Sequence, residues 1–130
     1  MNGQWKIQFE GVSVEFAGRM ALRDISIALD AKRIGVIGSN GSGKSTFARM
    51  LNGLVTPTSG VVRVHGLDPV RDGKRLRRHV GFIFSNPDAQ IVMPTVTEDL
   101  AFSLRGRGLS RSQVAERVVS ALESIDLVGH

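Results

Sequence analysis

Apolar and polar residues alternate at the start of the chain. Ile7, Phe9, Val12, Val14 and Phe16 sit between polar neighbours. A period of two predicts one or two half-buried strands within residues 4–16, broken at Glu10-Gly11. Ala17-Gly18-Arg19 reads as a turn. Leu22, Ile25, Ile27 and Leu29 continue as a further strand, ended by Asp30-Ala31-Lys32. The pattern then changes. Arg33-Ile34-Gly35-Val36-Ile37 is a short apolar run, the mark of a buried parallel strand. Phe47, Met50, Leu51 and Leu54 recur at i, i+3, i+4 and i+7 and predict a helix stopped by Asn52-Gly53. Thr56-Pro57-Thr58-Ser59-Gly60 is a loop, Val61-Val62-Arg63-Val64-His65 a strand closed by Gly66, and Val80-Gly81-Phe82-Ile83-Phe84 the next buried strand.

Two helices follow. Thr95-Val96-Thr97-Glu98 forms a capping box ahead of Leu100, Ala101 and Leu104, with a stop near Gly106 and Gly108. Ser110-Arg111-Ser112-Gln113 is a second capping box, and Val114, Val118, Ala121, Leu122 and Ile125 form the apolar stripe behind it. The chain carries no internal repeat, low-complexity tract or interdomain linker.

The chemistry lies between the apolar run at 33–37 and the helix at 47. Gly38-Ser39-Asn40-Gly41-Ser42-Gly43-Lys44-Ser45-Thr46 fits G-x-x-x-x-G-K-[ST], the P-loop. Strand, glycine loop, helix is the order a phosphate cradle needs. Glycines at 38, 41 and 43 allow backbone conformations closed to residues with a Cβ, so that successive N–H groups can turn inward. Lys44 supplies a point charge for the β- and γ-phosphates, and the Ser45 hydroxyl is placed to ligate Mg²⁺. The plainer alternative is a glycine-rich turn that happens to carry a lysine.

Length and composition narrow the class. The 130 residues are 42% apolar and 22% charged, about one soluble domain. The net charge of +5 suits nucleic acid, an anionic membrane face or nucleotide phosphates without choosing among them. There is no cysteine, which excludes a disulfide framework and a thiolate metal site. The N-terminal Met1-Asn2-Gly3-Gln4-Trp5-Lys6 lacks the apolar stretch of a signal peptide, and no run is long enough to span a membrane. The expected location is cytoplasmic. Arg71, Lys74, Arg75, Arg77 and Arg78 cluster around Asp72-Gly73. They form either a contact for an acidic partner or lipid headgroups, or a solvated helix face with Leu76 as its one apolar contact.

Taken together, the β-rich start, the loop from Gly38 to Thr46, Thr56 to Gly60, and Val80 to Asp88 resemble the ATP-binding subunits of ABC transporters in order and spacing. Asn86-Pro87-Asp88-Ala89-Gln90, with Pro94-Thr95-Val96-Thr97-Glu98-Asp99-Leu100-Ala101-Phe102, is similar to the ATPases of energy-coupling-factor uptake systems. Within these the wording is closest to the biotin and cobalt types.

The resemblance implies an α/β P-loop core of ABC type. An N-terminal antiparallel β subdomain and the core span about residues 1–84, and the start of a helical subdomain about 85–130. It implies ATP and Mg²⁺ as ligands, with Asn40 through Thr46 around the phosphates. Phe16 takes the place of the aromatic that stacks on adenine, where its alternative role is a strand-end core residue. It implies transmembrane subunits as partners, met by the surface from Glu98 to Phe102. The alternative there, preferred for Leu100 and Ala101, is a capped helix whose apolar face is core. The resemblance also implies a second ATP-binding subunit, identical or not, in a head-to-tail dimer. Nucleic acid is not among the expected partners. The place in the cell is the cytoplasmic face of the membrane, and the work is uptake of a vitamin or metal ion.

Two departures are visible. The family has a glutamine after the strand Val80 to Phe84, touching Mg²⁺ and the attacking water; this chain has Ser85, whose hydroxyl can ligate Mg²⁺ but supplies no amide. Gln90 lies elsewhere in the loop and is not its replacement. The sequence ends at Leu127-Val128-Gly129-His130, ahead of where the family places its Leu-Ser-Gly-Gly-Gln-type signature, its acidic catalytic motif and its switch histidine. His65, His79 and His130 do not match that switch and read as surface or loop histidines. The expectation is that these residues bind nucleotide without finishing its hydrolysis. Rivals are a short nucleotide-binding module without turnover, a half-sheet whose open edge aggregates, and an unrelated P-loop kinase.

Overall fold

A computed structural model describes residues 6–86, 88 and 90–127. The expectations attached to residues 4 and 5, to Pro87 and Ala89 and to Val128-Gly129-His130 lie outside them. The chain divides into two compact units, Met1–Phe82 and Ile83–His130.

The first unit is built on a three-stranded antiparallel sheet in the order β2-β1-β3. Its strands are β1 (Ile7–Phe16), β2 (Arg19–Leu29) and β3 (Ser59–Val64). The break expected at Glu10-Gly11 is a bulge inside one continuous strand. Gly11 has φ 57, and the register with β2 shifts between Phe9 and Val12. The extra residue explains the apolar pattern: Phe9 is odd and Val12 and Val14 are even, yet all three are buried. A bulge changes the phase of the alternation without moving it off the core face. At the hairpin tip Ala17 (φ 47) and Gly18 (φ 79) are both left-handed, as a two-residue turn between paired Phe16 and Arg19 requires.

Helix α1 (Lys44–Met50) packs on this sheet. The buried core comprises Phe9, Val12 and Val14 of β1, Val62 and Val64 of β3, Met50 of α1, and Leu76 of the short helix α2 (Gly73–Leu76). The Phe47 ring stacks on Phe9 with centroids 4.5 Å apart. Helix α1 is shorter than its apolar period suggested: Leu54 is exposed, beyond the stop. Leu54 N–H donates to the Arg49 carbonyl (2.9 Å) and Gly53 N–H to that of Met50 (3.1 Å), a Schellman closure with Gly53 at φ 69.

Two expectations are corrected. Arg33–Ile37 was expected as a buried parallel strand and Val80–Phe84 as a further buried strand, but neither belongs to a strand. Ile37 is 98% exposed and Ile83 90%. The reason is the sheet's composition: its three strands pair only among themselves, and no described residue offers either run a ladder. An apolar pattern supplies side chains for burial; it does not supply the neighbour that pairs the backbone.

The second unit holds α3 (Val96–Ser103) and α4 (Arg111–Ser124). Both capping boxes form. Thr95 accepts from Glu98 N–H while the Glu98 carboxylate accepts from Thr95 N–H, and Ser110 and Gln113 do the same. On α4, Val118 and Leu122 are buried as the stripe requires, whereas Ile125 is exposed at the C-cap. Among the described residues no helix is long and apolar enough to cross a membrane.

Candidate nucleotide-binding site

The loop between residue 38 and α1 is held from three directions. Gly43, at φ 91, is the N-cap of α1, and its N–H–carbonyl geometry starts the helix through Phe47 N–H to Gly43 O (2.8 Å). A Cβ at Gly43 would lie 2.7 Å from both the Ala21 carbonyl oxygen and Leu22 Cδ2 of β2. Only glycine fits: the φ and the close approach of β2 each exclude a side chain. From above, Ser42 N–H donates to Ser39 O (3.2 Å) and closes the tip of the loop. From behind, the stack of Phe47 on Phe9 fixes α1 to the sheet.

Lys44 lies at the centre. Its Nζ donates to the carbonyls of Gly38 (2.7 Å) and Ser39 (2.6 Å) and approaches Ser42 Oγ at 3.4 Å. The side chain therefore folds back along the loop with its charge at the loop's mouth. Asn40 through Thr46, with Ala21, enclose a cavity of about 270 Å³. The N–H groups of Lys44, Ser45 and Thr46 come before the first intrahelical bond, so they have no acceptor inside the helix. Gly38, Ser39, Asn40, Gly41, Ser42 and Ser45 are exposed and Gly43, Lys44 and Thr46 half-buried. The loop thus gathers backbone donors, one ammonium and the three hydroxyl residues Ser42, Ser45 and Thr46 around a solvent-open concavity.

The structure also places the remaining expected residues. Phe16 is half exposed at the end of β1, outside the buried core. Ser85 belongs to the second unit, exposed in a bend. Gln90 serves the loop itself: its side-chain carbonyl accepts from Phe84 N–H at 3.1 Å. His65 sits in a turn at φ 54 and His79 is exposed. Ala21, which lines the cavity, was not anticipated from sequence. Its place depends on how β2 passes under Gly43, a long-range fact that no local pattern carries.

Comparison with known proteins decides the family. Residues 22–129 match the ABC transporter family. This chain belongs to the ABC transporter ATP-binding family. It is 51% identical over 116 residues to the biotin transport ATP-binding protein BioM of Rhizobium etli, a match covering 89% of this chain and 51% of BioM. It is 44% identical over 112 residues to the cobalt import ATP-binding protein CbiO of Syntrophus aciditrophicus, covering 84% of this chain and 40% of that protein. Among solved structures, CbiO1 of Clostridium perfringens, part of the ABC transporter complex CbiONQ, superposes with a TM-score of 0.78 at 27% identity. That superposition covers 96% of this chain and 52% of CbiO1. The chain spans about half the length of the relatives it matches. The ABC-type ATPase fold expected from the sequence is the one found.

Proposed function

We propose that the chain binds MgATP in the loop 38–46, as the nucleotide-binding part of an ATP-binding subunit of an energy-coupling-factor importer. The observation that carries this is the Lys44 ammonium. It is held by the Gly38 and Ser39 carbonyls beside a cavity lined by Asn40 through Thr46, where the N–H groups of Lys44, Ser45 and Thr46 precede the first intrahelical bond. A triphosphate offers stronger, charged acceptors than two neutral carbonyls, so Lys44 exchanges partners as phosphate enters. The left-handed backbone at Gly43, φ 91, turns the chain into α1 and brings the helix-start N–H groups of Lys44, Ser45 and Thr46 to the loop. The Ser45 hydroxyl fits Mg²⁺, a hard cation that prefers oxygen and completes its shell from phosphate and water. When bound, Mg²⁺ offsets charge on the β- and γ-phosphate oxygens.

Phe16 supplies a flat face for adenine, and its exposure leaves that face available. Ser85 is the candidate for a second oxygen toward Mg²⁺, in place of an amide. In this proposal residues 1–84 are the β subdomain and core and 85–130 begin the helical subdomain. Its surface from Glu98 to Phe102 meets a transmembrane partner at the cytoplasmic face of the membrane. The complete subunit pairs with a second ATP-binding subunit and hydrolyses ATP to drive uptake of a vitamin or metal ion such as biotin or cobalt. The similarity to BioM and CbiO supports that cargo class.

The test is nucleotide affinity by calorimetry for the chain and for Lys44→Ala. Loss of an ammonium from a phosphate site should weaken ATP by roughly tenfold or more. Equal affinities would show that the loop is not the binding site.

A further inference from the structure

We propose that the arginine-rich turn around α2 is a contact surface for anionic phospholipid headgroups. Residues 71–79 hold Arg71, Lys74, Arg75, Arg77 and Arg78 against the single acid Asp72, a net +4 where the whole chain has +5. All five cations are exposed. Among the described residues they make one ion pair, Arg75 to Asp72 at 3.8 Å, with the Arg75 side chain 72% exposed. A pair that long and wet neutralises little.

The nearby carboxylates are occupied with the backbone instead. Asp68 Oδ1 accepts from Val70 N–H (2.9 Å) and Arg71 N–H (3.1 Å), and Asp72 Oδ2 accepts from Asp68 N–H (3.0 Å). Leu76, with no exposed surface, anchors the turn in the core, and its N–H donates to Asp72 O at 3.0 Å. The two acids and Leu76 thus fix the turn's shape. Arg71 lies near the Asp68 carboxylate and Arg75 near Asp72, while Lys74, Arg77 and Arg78 make no ion pair among the described residues. Such an arrangement presents cations on a preformed turn whose ordering does not wait for a ligand.

The chemistry favours a charged sheet of headgroups. No aromatic residue lies between Gly66 and His79 on which a base could stack, and a four-residue helix cannot lie along a nucleic-acid groove. Exposed Val70 adds an apolar side chain beside the charge. Attraction of a basic cluster to anionic lipid accumulates per cation and needs no particular headgroup geometry. The preference for a membrane over an acidic protein rests on the importer reading above.

The experiment is co-sedimentation of the whole chain with phosphatidylcholine vesicles, with and without phosphatidylglycerol. Binding is expected only to the anionic vesicles, and should fall steeply toward about 0.5 M salt. Lys74→Glu/Arg77→Glu/Arg78→Glu should lower partitioning by at least roughly tenfold. The milder Arg77→Gln/Arg78→Gln should fall between, and decides the matter if the triple variant does not fold. Equal partitioning of wild type and variants, or equal binding to neutral vesicles, would overturn the proposal. So would competition by millimolar inorganic phosphate, or tighter binding of duplex DNA through the same residues. ATP affinity, measured on the same samples, keeps the two readings apart. Its loss in the wild type with lipid binding intact would sink the importer reading alone.

Discussion

Phe16 and Asp68 illustrate two ways a single side chain can matter. Phe16 is half exposed, so its removal should cost the fold little, while an adenine stacked on it would lose an aromatic partner. Phe16→Ala is expected to weaken ATP by roughly tenfold, in line with base–aromatic stacking. It should leave inorganic triphosphate affinity and the melting temperature unchanged. Equal losses for ATP and triphosphate, by calorimetry, would assign Phe16 to the fold instead. Asp68 acts through charge. The N–H of Arg71 holds its carboxyl below the usual carboxylate range, with further help from Val70 N–H and the nearby cations Arg63 and Arg71, against an opposing push from partial burial. A depressed folded pKa means stability present at neutral pH and lost as pH falls through that pKa. Thermal melts of wild type and Asp68→Asn should therefore differ near neutrality and converge in acid. A gap that widens in acid would reverse the sign. The P-loop pattern itself was legible because Gly38, Gly43, Lys44 and Ser45 occupy fixed offsets. Ala21 was not, because its carbonyl meets Gly43 only after β2 has found its register.

At the scale of elements, local signals performed best where the physics is local. Thr95 with Glu98, and Ser110 with Gln113, satisfy helix-start donors within three residues, so the helix starts could be read directly from sequence. Thr95→Ala should cost about 1 kcal/mol, since Glu98 N–H loses its acceptor. Amide exchange in residues 96–99 should accelerate while that of β1 stays unchanged. Protection equal to wild type would mean that α3 is held by packing alone. The bulge at Gly11 was half legible: the sequence shows the alternation breaking, and the structure shows it resuming on the same face. Helix α1 ran shorter than its apolar spacing because Gly53 turns left-handed and closes the last carbonyls before Leu54 can join. The stop signal prevailed over the period.

For the whole molecule, the apolar runs at 33–37 and 80–84 mark the limit of sequence reading. Ile34, Val36, Ile37 and Ile83 carry the composition of strands buried on both faces, yet they stand exposed. Burial on two faces needs a ladder, and the composition of a strand does not reveal who pairs with it. Exposed apolar side chains outside the sheet invite association between copies. Ile37→Lys should therefore reduce self-association of the isolated chain in light scattering, and change stability by less than about 0.5 kcal/mol. Undiminished association would show that this run is not the sticky surface. The β1–β2 hairpin has a different consequence. Phe16 ends its first strand, and five residues later, after a two-residue turn, Ala21 and Leu22 of its second strand press against Gly43. One hairpin thus carries the proposed base platform and braces the phosphate loop. The fixed length of that turn makes it a caliper: lengthening it by a residue would reset the span between the Phe16 ring and the loop 38–46, with every contacting side chain still in place.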